Sequence, residues 1–258
     1  FAQARTMAIT QLAVFEAVNA VNGGYESYTG AIAENRNASA EAAAIAAAHA
    51  VLISFAIPGT ATQLDADRAN ALMGIPDGPP NTAGIALGEA AARDLIRIRL
   101  NDGSAPMPLH LPSSALAGEW QLTPTPPPPA PQCTGGQFTQ WPTLLPFGIP
   151  DAQAFVLDAP PDLGSNRYAK DYLEVMSVGS ATSTARPQDR TDVARFYASV
   201  SPSHLLNMAA RQLSMVRGDS LSENAWALGP THPTPASARS TSRRASAPRP
   251  CPGRSRRA

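Results

Sequence analysis

Residues 226–258 contain seven Arg, six Pro and no Asp or Glu, with Trp226 and Leu228 as their only large apolar side chains. A segment of this composition has almost nothing to bury and is expected to stay disordered, so any core must be built from residues 1–225. That part is Ala-rich, helix-forming and acidic. Its 20 Asp and Glu face 13 basic residues, a formal −7 that the basic tail returns to zero. The change falls directly after Leu221-Ser222-Glu223-Asn224-Ala225, which has the pattern of a helix's opening turn. The reading is a helical part over 1–225 and a disordered basic tail over 226–258, the tail having the composition of an out-of-frame, GC-rich codon stream.

The acidic body argues against nucleic acid as a partner, although the tail taken alone has the charge of a nucleic-acid arm. Nineteen of the 20 basic residues are Arg and only Lys170 is Lys, a usage typical of GC-rich genes. Cys133 and Cys251 lie far apart in Pro-rich surroundings without metal spacing, which leaves a disulfide or two free thiols. Phe1 in place of Met indicates that the natural start lies upstream, and no charged n-region with an apolar stretch and cleavage site is visible. The longest apolar run, 42–57, is interrupted by His49 and Ser54. It falls short of the roughly 18–20 residues that span a bilayer, so no membrane span is expected.

Periodicity places helices over 2–22, 41–57, 62–73 and 81–100. Asn37 or Ser39 is positioned to cap the second, and Gly84, Gly88, Ala91 and Ala92 give the fourth a small-residue face for close packing. Residues 104–165 lack helical spacing and include the Thr123–Pro131 stretch, which is confined to extended or polyproline-like backbone. Trp120, Phe138, Trp141, Phe147 and Phe155 mark this segment as a wrapping loop pinned by its rings. Helical pattern returns over 166–178, 187–198 and 203–217, with Ser220 or Ser222 placed to cap one more. No strand-like alternation is sustained. The fold class is all-α: an incomplete helical bundle with a long Pro-rich loop and a disordered C-terminal tail.

Few residues point to chemistry. His49 sits on an apolar helix and reads as a hydrogen-bonded core residue. His110 lies in a Pro/Leu loop with no acidic neighbour. His204, with Asn207 and Arg211 one and two turns on, could face an anion but reads as a surface or capping residue. His232 belongs to the tail. Asp65 and Asp67 lie on different faces of a short helix and read as solvated. No G-x-S-x-G, H-E-x-x-H or phosphate-cradling glycine loop occurs.

A series of segments nevertheless resembles the bacterial vanadium-dependent haloperoxidases, a branch of the type 2 phosphatidic acid phosphatase superfamily. It begins with Ala4-Arg5-Thr6, Phe15-Glu16-Ala17-Val18-Asn19-Ala20 and Tyr25-Glu26-Ser27-Tyr28, and runs through Ala48-His49 and residues 84–103. Gly118-Glu119-Trp120, Thr123-Pro124, Trp141-Pro142 and Leu145-Pro146-Phe147 follow. Tyr168, Tyr172-Leu173-Glu174-Val175, Gly179-Ser180, Arg190-Thr191, Ala194-Arg195-Phe196, residues 207–211 and residues 221–225 complete it.

The resemblance implies a helical bundle that holds vanadate or phosphate. In the family, a K-x6-R-P motif, a P-S-G-H loop and a later Arg and His grip the oxyanion, so that fixed positive charge and donors stabilise a trigonal-bipyramidal centre. Bound vanadate activates peroxide to oxidise halide in one branch; a His attacks phosphorus in the other. This chain departs from those motifs. Lys170 has Ser177, not Arg, seven positions on. Arg186-Pro187 and Arg249-Pro250 have no Lys at the required distance, and Pro202-Ser203-His204 lacks the Gly.

No catalytic, cofactor-binding or metal-ligating residue is therefore assigned. The expectation is the front helical part of a haloperoxidase-like protein, cut short by a frameshift or a gene-model error and itself inactive. Vanadate is the cofactor of the intact family, with none expected for this chain. Halide and peroxide, or a phosphate ester, would be the substrates of the intact parent. The alternative is a non-catalytic helical interaction protein with a basic disordered arm.

Overall fold

In a computed structural model of the chain, residues 2–56, 58–122, 135–149 and 152–229 are described. These residues are all-α. Eight α-helices lie among them, and β pairing is limited to one antiparallel bridge between His110 and Gly136. The helices are α1 (Ala2–Asn22), α2 (Ala40–Ser54), α3 (Ala61–Leu72), α4 (Pro79–Arg99), α5 (Asn166–Val178), α6 (Gln188–Ser199), α7 (Pro202–Arg217) and α8 (Leu221–Leu228). Two compact units divide the chain. One comprises residues 1–9 and 95–224, the other residues 10–94 and 225–258.

In the unit of residues 10–94, the core comes from α1, α2 and α4. Leu12, Phe15 and Val18 of α1 are buried, as are Ala42, Ala43, Ala46, Ala47 and Val51 of α2 and Ala91 and Ala92 of α4. The Ala content of α2 has a geometric purpose. A Cβ placed on Gly84 would overlap the Ser39 carbonyl oxygen, and one on Gly88 would overlap that of Ala43. The α2 and α4 backbones approach too closely there for a Cβ on α4, so only Gly serves at these two positions, with the small Ala42 side chain opposite Gly84. Of the two candidate caps, Ser39 is the one used: its Oγ accepts from the Ala42 N–H at 3.2 Å. Helix α2 ends at Ser54, with Phe55 as its C-cap, short of the expected stop before Pro58. Helix α3 buries no residue. Side chains hold it instead, through His49 to Asp65 and Arg68 to Glu89, both at 2.8 Å.

In the unit of residues 95–224, the long segment after α4 carries two short 3-10 turns, Trp141–Thr143 and Ala152–Phe155. The expectation that its rings pin it is met unevenly. Phe147 lies beneath the Arg99 guanidinium, 3.7 Å from carbon to ring centroid, and Trp120 tilts against His110 at 5.5 Å. Phe155 is exposed. The Thr123–Pro131 stretch, Cys133 and Cys251 lie outside the described residues.

Helix α7 ends at Gly218 in the left-handed region (φ 69°), with the Asp219 N–H returning to the Ser214 carbonyl at 3.1 Å, a C-terminal motif that Gly makes without strain. Ser220 then caps α8 in a reciprocal box. The Glu223 N–H donates to the Ser220 Oγ at 3.3 Å, and the Ser220 N–H donates to the Glu223 carboxylate at 2.8 Å. Here the structure corrects the expected boundary between residues 225 and 226. Trp226, Ala227 and Leu228 continue α8 instead of opening the tail. The physical reason is packing: Ala225 is buried and Trp226 stacks on Tyr25. The rest of the tail, including His232 and Arg249-Pro250, lies outside the described residues.

Candidate functional site

Two buried polar clusters stand out, one in each unit. Helix α1 is apolar over the face it buries, yet Glu16 on that helix is only 2% exposed. Its carboxylate organises the turn that follows α1. Oε2 accepts from the Ser27 hydroxyl at 2.6 Å and the Thr29 hydroxyl at 2.8 Å, and Oε1 from the Tyr28 N–H at 2.5 Å. One helical turn on, Asn19 clasps the Tyr25 backbone from both sides, donating to its carbonyl at 2.9 Å and accepting from its N–H at 3.1 Å. Glu16, Asn19, Tyr25, Ser27, Glu34 and Arg36 line a polar recess of about 150 Å³. Arg36 closes one side by donating to the Asn22 carbonyl and the Glu34 carboxylate. With its oxygens already accepting three strong bonds, Glu16 acts as an anchor for residues 25–29.

The second cluster joins α1 to the end of α4 and the loop beyond it. Arg5 donates through Nε to the Asp102 carboxylate and through Nη2 to the Arg99 carbonyl, each at 2.8 Å. Arg99 is 1% exposed. It donates to the carbonyls of Leu145 at 2.6 Å and Pro146 at 3.1 Å, with Phe147 against its face. Asp102 also accepts from the Ser104 N–H, and its own carbonyl accepts from the Leu145 N–H. Burial acts to raise the Asp102 carboxyl. The hydrogen bonds from Arg5 and Ser104, with the charge of Arg5, outweigh it and hold the group below the ordinary Asp range.

Arg99 and Glu16 were not singled out by the sequence, since a charged residue on a helix reads as its wet face. Arg93 and Arg97, on the same helix as Arg99, are exposed. Asp102 lies in the turn sequence Asn101-Asp102-Gly103, and the partner that accompanies its burial, Arg5, is 97 positions away.

The histidines are dispersed. His49 is largely buried, as expected of a hydrogen-bonded residue, and its partner is Asp65, whose side chain stays exposed, in keeping with the solvated reading. Asp67 accepts from Gln63, one turn back on the same helix. His204 is exposed in the first turn of α7, and Asn207 donates to the Ser203 carbonyl. No group of three or more His, Cys, Asp or Glu among the described residues is placed to hold a metal ion. No described helix is long and apolar enough to cross a membrane.

Among the described residues, Arg5, Arg99 and Arg186 are turned to protein acceptors. Arg5 and Arg99 are directed at a carboxylate and at carbonyls. Arg186 donates to the Val178 and Ser180 carbonyls and to the Thr191 hydroxyl, closing the end of α5. Lys170 is exposed on α5, away from these groups in sequence and burial. What the clusters do chemically is to fix backbone that has no secondary structure of its own. No protein family, curated protein or solved structure matches this chain in comparison.

Proposed function

We propose that this chain is the N-terminal helical part of a vanadium-dependent haloperoxidase-like protein, inactive by itself because the oxyanion ligands belong to a part it does not carry. The observation that carries this reading is where the resembling segments fall. Ala4-Arg5-Thr6, Phe15 to Ala20, Tyr25 to Tyr28 and Leu145-Pro146-Phe147 are the segments that supply the two buried polar clusters. A chance likeness between helical proteins would collect in small apolar residues. Here it includes the buried Arg, Glu and Asn that tie loops to helices, the positions a fold can least exchange.

The intact parent would take halide and peroxide, or a phosphate ester, with vanadate or phosphate at the missing site. Because α8 packs through Trp226, the search for that site begins after the Leu228 codon. Translating the downstream DNA in all three frames is expected to yield K-x6-R-P followed by P-S-G-H in one of them. Three empty frames would sink the proposal and leave the helical interaction protein with a basic arm. The chain itself is expected to show no vanadate-dependent bromide oxidation and no phosphatase activity; either activity would overturn the assignment of the ligands to a missing part.

A further inference from the structure

Helix α3 has 12 residues, lies between α2 and α4 in the chain, and buries none of its own residues. A helix of this length is marginal in water by itself, so its persistence depends on what docks it. Leu64, Arg68 and Leu72, one turn apart, are its half-buried positions, and the other residues of the helix are exposed. Two side-chain contacts fasten that stripe: Asp65 meets His49 of α2, and Arg68 meets Glu89 of α4, each at 2.8 Å. The Asp65 side chain is 66% exposed and that of Glu89 40%, so both contacts lie at the edge of water, where such pairs are weak. The chain on either side separates the helix from its neighbours. Gly59 (φ 90°) precedes it and Gly78 (φ 144°) follows it, and Pro58 and Pro76 interrupt helical hydrogen bonding at the two ends. The Leu64, Met73 and Ile75 N–H groups are answered inside the segment, by the carbonyls of Thr60, Ala69 and Leu72.

We propose that α3 is a strap that opens by itself, at a free energy well below that of unfolding α2 and α4, with His49–Asp65 and Arg68–Glu89 as its two fastenings. A segment with few buried contacts sits at the low end of a protein's local stabilities, and α3 has the least burial of the helices in its unit. Its opening is a local event because the glycines at 59 and 78 absorb the change of backbone direction without moving α2 or α4. When α3 leaves, His49 of α2 and Glu89 of α4 lose their partners together, so one motion frees a histidine and a carboxylate to solvent. The inference goes beyond the proposed function and does not involve the oxyanion site, so the two fail independently.

The test is native-state hydrogen exchange of the full 258-residue chain at pH 7, read by mass spectrometry from zero urea to just below the unfolding midpoint. Residues 61–72 are expected to exchange together, at a rate urea barely changes and on the order of a hundredfold faster than α2 and α4 after correction for intrinsic rates. Asp65→Ala and Arg68→Ala should each speed that exchange about threefold and leave α2 and α4 as they were. Asp67→Ala is the control, since Asp67 accepts from Gln63 of its own helix at 2.8 Å. Ala forms helix better than Asp, so a helix held by local forces would exchange no faster in either Asp variant. Only docking through Asp65 sets the two apart. Exchange of 61–72 in step with α2 and α4 would overturn the proposal, as would a complete lack of protection there. So would an Asp65→Ala variant that exchanges no faster than Asp67→Ala.

Discussion

Trp226 lies nearly flat on Tyr25, with ring centroids 5.6 Å apart and planes 12° from parallel. Tyr25 meets Phe15 edge-on at 6.1 Å, and Asn19 holds the Tyr25 backbone. The last described helix is thereby joined to the turn that follows the first. A stacked aromatic pair contributes about 0.5–1.5 kcal/mol beyond the area it buries. Trp226→Ala is expected to lower unfolding free energy by about 2 kcal/mol in urea denaturation. No change would mean that residue 226 belongs to the tail after all.

Glu16 collects the donors of residues 27–29, and removing its carboxylate strands them. Glu16→Ala is expected to cost about 3 kcal/mol, since buried donors left without acceptors cost about 1–3 kcal/mol. Glu16→Gln should cost less, about 1 kcal/mol, because the Ser27 and Thr29 hydroxyls can rotate to accept from an amide. Equal losses for the two substitutions, measured by urea denaturation, would show that shape and not hydrogen bonding is what Glu16 supplies.

The Asp102 carboxyl is held below the ordinary Asp range, so its ionised form is bound more tightly in the folded chain than in the unfolded one. The sign follows from linkage: the contribution is complete above the unfolded value, about 3.9, and fades as pH falls through the folded value. Asp102→Asn leaves Arg5 without its counter-charge and is expected to lose about 2 kcal/mol at pH 7. The difference from wild type should shrink between pH 4 and 2. A difference that stays constant across that interval would rule out the ion pair as its source.

Gly88→Ala puts a methyl group into the Ala43 carbonyl, where neither helix has a flexible end to yield. The expected loss is about 2–3 kcal/mol, against a change within about 0.5 kcal/mol for Gly74→Ala, where the nearest atom is 3.8 Å away. Thermal denaturation of the two variants side by side decides it. Similar melting temperatures would mean that α2 and α4 do not pack in contact.

The residues of this protein by themselves determined its helices. Apolar spacing, the Ser39 and Ser220 caps and the glycines at 23, 179 and 218 set helix positions to within a few residues, because they act over one or two turns of backbone. Even the close approach of α4 was legible, in Gly84 and Gly88. Only the tertiary structure decided which charges are buried. Glu16 and Arg99 look like any polar residue on a helix until residues 27–29 and 145–147 are folded against them, since a buried charge is tolerated only where distant donors or acceptors meet it. The same reason moved the end of α8. Trp226 opens a stretch whose composition is that of a tail, and the ring that holds it in the helix, Tyr25, lies some 200 residues earlier in the chain.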